Sequence, residues 1–472
     1  MDEKLISTGD KASLRPQASW LRRTFSTMNE GSLRAQIFLL IITTMGSSFF
    51  LLPYSAKQIG IAFVLLMLTF SAAISYLSSA MLYMGYKETE AKTYNECVTK
   101  ILGNKLGYFS NIVVFMHTFV AVLSSWIFSF EYLTSGAQEL FGFDETWKYF
   151  LIYKASFFGL TLLLMFIATL ASSLEKLKFV AIVGIGFIVY LVGVFAYLTP
   201  EYYGYYNAQG KVTVDWFKAD PFFLKTFGIC FYIFLNQYTI LPVCNNVKSA
   251  TFRRASKIIY RSIFTLLFLY FIIISCGYLS ESDDTKTEIF LLRKAIEGSS
   301  DFAILVGKIG FGITLMIAVT VKATYLLLYL HELINGFSKA CTKSEEPEEY
   351  QAETLNPPNT DNRSSQLSDD ESHVVQPLPS PEKTKLTHFI NFCFLLTMAV
   401  AAVLLMDKLP AILSLAGSFI GYFEIVFFPA LLVLSINKKS NLISPFQKFL
   451  LISISLAIGV CCVGSIGYNL SH

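Results

Sequence analysis

A run of about 20 predominantly apolar residues is long enough to cross the hydrocarbon core of a bilayer as a helix. This sequence holds about eleven such runs in succession, near residues 35–59, 61–86, 108–133, 149–171, 179–198, 222–243, 258–279, 302–330, 386–406, 409–436 and 446–468. No other feature narrows the choice of fold as much. In lipid every backbone N–H and C=O must find a partner within the protein, so a chain can cross only as helices or as a closed barrel. Barrel strands alternate polar and apolar residues, and these runs do not. Only 15% of the 472 residues are charged, against roughly 25% in a soluble chain. The expected fold is therefore an all-α integral membrane protein with about eleven transmembrane helices, numbered here as spans one to eleven.

The remaining sequence divides the chain. Residues 1–34 form a polar tail without the apolar core of a signal peptide. Spans one to eight occupy 35–335, an acidic loop occupies 336–385, and spans nine to eleven fill 386–472. Within the loop, Ser344 to Glu382 is rich in Glu, Asp, Ser, Pro and Asn and poor in large apolar residues, the composition of a disordered segment. Tyr202 to Asp220 reads as a loop on the opposite side with one short strand at Lys211 to Val214. With the tail placed in the cytoplasm and the sides alternating, the larger share of the 37 lysines and arginines falls in inside segments. That is the positive-inside pattern, consistent with a plasma membrane or a vacuolar or lysosomal membrane.

The net charge of +3 argues against a nucleic-acid partner. All eight cysteines fall in spans or cytoplasmic loops, and no Cys/His spacing suggests a metal. Without a nucleophile–base pairing or a metal-ligand cluster, no enzymatic activity and no cofactor are expected.

Two spans are interrupted. In Ile37 to Lys57 the centre reads Thr43-Thr44-Met45-Gly46-Ser47-Ser48. Glycine disfavours helix by about 1 kcal/mol relative to alanine, and serine and threonine offer the backbone competing hydrogen bonds. Pro53 follows, lacking an N–H. In the second half of the chain, Phe222 to Val243 carries Phe234-Leu235-Asn236-Gln237 in an apolar run, followed by Leu241-Pro242. Paired interrupted segments are the best sequence pointer to the binding site of an inverted-repeat transporter. The N–H groups opening the second half of span one, near Ser47 and Ser48, would point a positive dipole end at a carboxylate. Freed carbonyls near Thr43, Thr44 and Phe234 would accept from an ammonium. An α-amino acid satisfies both. The candidate substrate-binding residues are Thr43, Thr44, Met45, Gly46, Ser47, Ser48, Phe234, Asn236 and Gln237.

Thr44-Met45-Gly46-Ser47-Ser48 with Leu52-Pro53-Tyr54 and Gln58-Ile59-Gly60 resembles the first-helix signature of the amino acid/auxin permease family. Further similar stretches follow in the family's order: Thr93-Tyr94-Asn95-Glu96, Asn236-Gln237 through Leu241-Pro242, Gly277-Tyr278-Leu279, Leu413-Ser414-Leu415-Ala416-Gly417-Ser418, and Phe428-Pro429-Ala430-Leu431. The resemblance implies a five-plus-five inverted repeat with an eleventh helix, discontinuous spans one and six, and amino acid transport by alternating access. The sequence departs from sodium-coupled members at Ile42, where they typically carry asparagine. The stretch matching their sodium-contacting region contains Thr320, Lys322 and Thr324. An ammonium there would repel sodium, so proton coupling is favoured, with Lys322, Thr320 and Thr324 as candidate coupling residues; the alternatives are a sodium-coupled transporter and an amino-acid-sensing membrane protein with little flux.

Ionisable residues deep in a membrane are functional candidates by default. Lys322 lies about 12 Å from the nearer end of its span at 1.5 Å per residue, too far to reach the interface easily. Glu424 reads either as a partner for a cation or as a water-facing acid. His117 reads as a hydrogen-bonded packing residue.

Overall fold

A computed structural model describes residues 31–46, 48–142, 150–170, 177–247, 251–285, 302–342, 385–440 and 443–471. Residues 1–30 of the tail, the Ser344 to Glu382 segment and Ser47 lie outside the described residues. Among the described residues, nine helices are long and apolar enough to cross a membrane, and one bent pair passes the same test together. With Phe150–Leu170, these account for the expected spans, and the protein is an all-helical, multi-pass integral membrane protein.

Span one is broken where the sequence predicts. Its first helix, Leu33–Thr44, is capped by the Ser32 hydroxyl, which accepts from the Ala35 N–H at 3.3 Å. The helix stops at Met45, which is extended (φ −66°, ψ 111°). The chain resumes as a 3₁₀ turn, Ser48–Leu51, and a helix, Leu52–Ile59, bent by 52° from the first. Pro53 sits in the first turn of this second helix, where its missing N–H leaves no bond unmade. It starts a helix rather than kinking one.

Span six divides into Phe223–Tyr232 and Gln237–Asn245. Span ten carries a third interruption that the sequence reading did not anticipate: Leu409–Gly421 passes through a π-helical turn, Tyr422–Phe427, into Phe428–Ser440. Its cause is Pro429. The Phe428 N–H bonds back to the Phe423 carbonyl, so in the same register the Glu424 carbonyl would need the N–H that Pro429 lacks. The Tyr94 hydroxyl supplies it, donating to Glu424 O at 3.2 Å.

The other spans are Ile61–Thr89 (two), Asn104–Phe141 (three), Leu177–Ala208 (five), Phe252–Glu281 (seven), Phe302–Thr342 (eight), Lys385–Leu405 (nine) and Pro445–Ser471 (eleven). Spans three and eight pack side by side along much of their length, where the Ser129 hydroxyl donates to Gly312 O at 2.8 Å. Spans six and ten cross so closely that a Cβ on Gly417 would collide with the Gly228 carbonyl. Small residues at such crossings let helix backbones approach and gain dispersion contacts that lipid would otherwise supply.

Thr93-Tyr94-Asn95-Glu96 opens a short helix, Tyr94–Leu102, between spans two and three. The Thr93 hydroxyl accepts from the Glu96 N–H at 3.2 Å, and the Glu96 carboxylate accepts from the Lys92 N–H at 2.7 Å and pairs with Lys100 at 2.7 Å. Asn95 donates to Asn111 Oδ1 in span three (2.8 Å) and to Glu332 Oε2 in span eight (3.2 Å). One four-residue motif thus ties together spans three, eight and ten.

Two expectations need correction. Span five continues helically through Pro200 to Ala208, so the following loop starts later than the apolar run suggested. Lys211 to Val214 is not a strand. Its backbone is extended but bonds to side chains: the Thr213 N–H donates to Ser282 Oγ at 3.0 Å, and the Tyr278 hydroxyl donates to Thr213 O at 3.2 Å. Residues 215–218 then run alongside the junction of spans one and two. The Ile61 N–H donates to Asp215 O (3.0 Å) and the Lys218 N–H to Ile59 O (2.9 Å).

That strap fixes Gly60. Its φ of +90° is disfavoured for any residue with a Cβ, and a Cβ there would lie 2.5 Å from the Trp216 carbonyl. Gly103 has the same φ of +90° with nothing near its Cβ position. Gly103→Ala should therefore show the backbone strain alone, about 1–3 kcal/mol, and Gly60→Ala that strain plus a displaced strap. Thermal unfolding of the two purified variants in detergent should rank Gly60→Ala clearly lower; equal melting would remove the strap from the account.

Candidate functional site

The breaks of spans one and six face each other. Thr44 closes the first helix by donating its hydroxyl to Leu40 O at 2.6 Å, and the same oxygen accepts from Asn236 Nδ2 at 3.1 Å. Between the breaks lies a small cavity. Span one lines it with Thr43, Thr44, Gly46 and Ser48, and span six with Tyr232, Ile233, Leu235 and Tyr238. Span three adds His117, Ala121 and Ser124, and span eight adds Lys322. Ser48 is 1% exposed, and its hydroxyl has no hydrogen-bond partner. Native structures pair most buried polar groups, so an unpaired hydroxyl facing a cavity is free for a bound molecule.

The predicted substrate residues divide into those that reach the cavity and those that build its wall. Thr43, Thr44, Gly46 and Ser48 line it. Met45 is buried in the apolar core and does not, and Ser47 is outside the described residues. The Phe234 carbonyl is already occupied by the Ser75 hydroxyl at 2.9 Å, and the Phe234 ring packs on Tyr270 with centroids 5.6 Å apart. Asn236 stands behind Thr44. Gln237 folds back at the start of the second half of span six, its Oε1 accepting from the Asn236 N–H at 2.9 Å. The amide pair therefore holds the break open from behind.

Lys322 is 3% exposed, and its ammonium donates to Ser125 Oγ of span three at 2.9 Å. Thr320 and Thr324 do not line the cavity. Two residues from Lys322 in either direction is more than half a helical turn, and both hydroxyls bond within their own helix, to Ile317 O (2.7 Å) and Thr320 O (3.0 Å).

The sequence reading missed one pairing. His117 Nδ1 and Glu424 Oε2 are 2.7 Å apart, both side chains buried, joining span three to the π turn of span ten. Each was visible as an isolated ionisable residue in an apolar run; nothing in the sequence marked them as neighbours. The Tyr238 ring meets the His117 ring edge-to-face at 4.8 Å. Tyr232 and Tyr238 flank the span six break, a position that would have identified them.

Two clusters of aromatic rings pack near the broken spans. Toward the Ile59 end of span one, Phe49 and Phe50 pack on Phe311 at 5.9 and 5.1 Å, and Tyr132 on Phe311 at 5.3 Å. Toward the opposite end, Tyr238 packs on Tyr325 at 5.3 Å and on Tyr329 at 6.5 Å. Among the described residues, no group of His, Cys, Asp and Glu is arranged to hold a metal ion.

Residues 29–471 match the sequence model of a family described as transmembrane amino acid transporter protein. The chain is similar to a putative amino acid transporter AAT1 of Plasmodium falciparum, with 24% identity over 61% of this chain and 47% of that protein. It is also similar to a putative sodium-coupled neutral amino acid transporter 11 of Mus musculus, with 25% identity over 62% of this chain and 63% of that protein. The match thus spans less than two thirds of either relative. Among solved structures, a manganese transporter of Eremococcus coleocola in complex with an aromatic bis-isothiourea substituted compound aligns with a TM-score of 0.48 and 10% identity, covering 93% of this chain and 94% of that one.

The wall role of Gln237 is testable without a substrate. Gln237→Leu leaves the buried Asn236 N–H unpaired, which should lower stability by about 1–3 kcal/mol, read as a lower melting temperature of the purified protein in detergent. Unchanged melting would mean that the break does not depend on this side chain.

Proposed function

Because the chain belongs to the transmembrane amino acid transporter family, we propose that it is a secondary active transporter that moves amino acids by alternating access, coupled to protons. The observation that carries this reading is the polar cavity at the crossing of two broken spans, with a buried lysine in its wall. Carbonyls at the end of Leu33–Thr44 lack intrahelical partners and would accept from the substrate ammonium. The start of the Ser48–Leu51 turn and the unpaired Ser48 hydroxyl would receive the carboxylate. In this reading the N-terminus is cytoplasmic, as the positive-inside pattern suggests.

Lys322 supports protons over sodium. An ammonium fixed in the cavity wall repels a second cation in a low-dielectric site. When protonated it bonds to Ser125 and holds span eight to span three; when neutral it would release that contact. A proton that favours one arrangement of the spans over the other provides the differential affinity that coupling requires. The mouse relative is named as sodium-coupled, so replacing sodium is the decisive control.

Reconstituted protein should accumulate one or more amino acids from a radiolabelled panel when the N-terminal side is the more alkaline. Replacing sodium with choline should change nothing. Lys322→Gln should lose gradient-driven accumulation while still exchanging substrate. A Cβ on Gly46 would meet Ser48 Oγ at 3.4 Å and Ser48 N at 3.9 Å, ordinary contacts, so Gly46→Ala should fold and Gly46→Val, which projects further into the cavity, should block uptake. Strict sodium dependence, or undiminished proton-driven uptake by Lys322→Gln, would overturn proton coupling. Binding without accumulation would point to a sensor.

A further inference from the structure

Glu424 is fully buried, and its two carboxyl oxygens are in different situations. Oε2 lies 2.7 Å from His117 Nδ1, while Oε1 has no hydrogen-bond partner. An ionised carboxylate accepts through both oxygens, and leaving one bare in a dry interior is costly. The arrangement suits a pair that holds one proton: with it the pair is neutral overall, and without it the pair carries an uncompensated negative charge. His117 lines the cavity and Glu424 stands directly behind it.

The pair also sits where a proton could influence the transport cycle. It bridges span three to the π turn of span ten, and single π turns inside helices are frequent at functional sites. The groups around it are Tyr94 of the short helix, Tyr232 and Tyr238 from the two halves of span six, and Tyr329 of span eight, each within electrostatic reach of Glu424. Tyr325 packs on Tyr238, and Lys322 lies in the same cavity wall as His117. Glu332 faces Tyr329 from the same span and accepts from Asn95, and tyrosine hydroxyls ionise only near pH 10 in water.

We propose that His117 and Glu424 form a second proton site, separate from Lys322, whose occupancy sets the affinity of the cavity for its amino acid. This rests on the transporter reading above. The site takes one proton from water as the cavity closes around substrate and returns it to water when the opening of span ten hydrates Glu424 Oε1; no bond other than the proton's own is made or broken. Because His117 faces both Glu424 and the span six break, a change in the pair's charge is felt at the substrate.

The test uses full-length protein in lipid nanodiscs, with the standard L-amino acids, radiolabelled, as probes. Infrared difference spectra between about pH 5 and pH 8 should show the C=O stretch of a buried carboxylic acid that titrates, present in wild type and in Lys322→Gln and absent in Glu424→Gln. For the amino acid bound best, affinity should change at least ~5-fold across that range, as expected for an ordinary coupling free energy, and this change should vanish in Glu424→Gln. Superimposable spectra for wild type and Glu424→Gln, or an unaltered pH dependence of affinity in that variant, would overturn the proposal. If Glu424→Gln fails to fold, His117→Gln keeps the carboxyl and removes its partner; its band should titrate at a different pH, and an unmoved band would overturn the proposal. If wild type binds no amino acid, the transporter reading fails, and the infrared band alone judges the pair.

Discussion

The rule that no backbone polar group can be left bare in lipid accounts for most of what is unusual in this protein. Three spans break the regular ladder, and each break has found its own partners. In span one, the Met45 N–H closes the helix on the Ile41 carbonyl and the Thr44 hydroxyl ties its last turn to Asn236 of span six. In span six, Ser75 of span two takes the Phe234 carbonyl and Gln237 takes the Asn236 N–H. In span ten, Tyr94 takes the carbonyl that Pro429 orphans. The neighbouring helices are therefore scaffolding for the breaks as much as for one another.

Much of this was legible in the sequence. The apolar runs gave the spans because their length is set by the bilayer, and the Gly-Ser cluster of span one and the amide pair of span six marked two breaks because those residues disfavour helix locally. The third break was not read from Pro429 because a lone proline in a membrane helix is usually absorbed without rearrangement. Side-chain direction was the harder problem. Asn236 and Gln237 were expected to face the substrate, yet neither lines the cavity: the Gln237 oxygen is taken by the Asn236 backbone N–H, and the Asn236 amide donates to the Thr44 hydroxyl. Thr320 and Thr324 flank Lys322 in sequence but, in a helix, two residues is a turn to the other side. The His117–Glu424 contact joins residues more than 300 apart in the chain, and no local rule reports such a pairing.

The buried charges are arranged with the same economy. Lys308 at one end of span eight reaches the Glu139 carboxylate at 3.0 Å, and Glu332 near the other end accepts from Asn95. Lys322, between them, has a hydroxyl for a partner rather than a carboxylate, although Glu424 lies in the same region of the bundle. An ion pair between the two would lock spans eight and ten together with several kcal/mol of mutual attraction to overcome. Lys322 is paired instead with the Ser125 hydroxyl and Glu424 with His117, so the two charges do not tie spans eight and ten together.

The aromatic clusters near the broken spans draw on the half-helices themselves. Phe49 and Phe50 belong to the 3₁₀ turn that follows the first break, and Tyr238 belongs to the helix that follows the second. Each half-helix therefore carries its own ring into one of the two clusters. Aromatic contacts of this kind are worth roughly 0.5–1.5 kcal/mol each beyond area burial, so each half-helix is held by several small contributions. Swinging either half-helix about its break would withdraw its rings while leaving the opposite cluster packed. Spans one and six thus line the cavity with the same stretches at which their helices break, and the Ser48 hydroxyl among them keeps no hydrogen-bond partner.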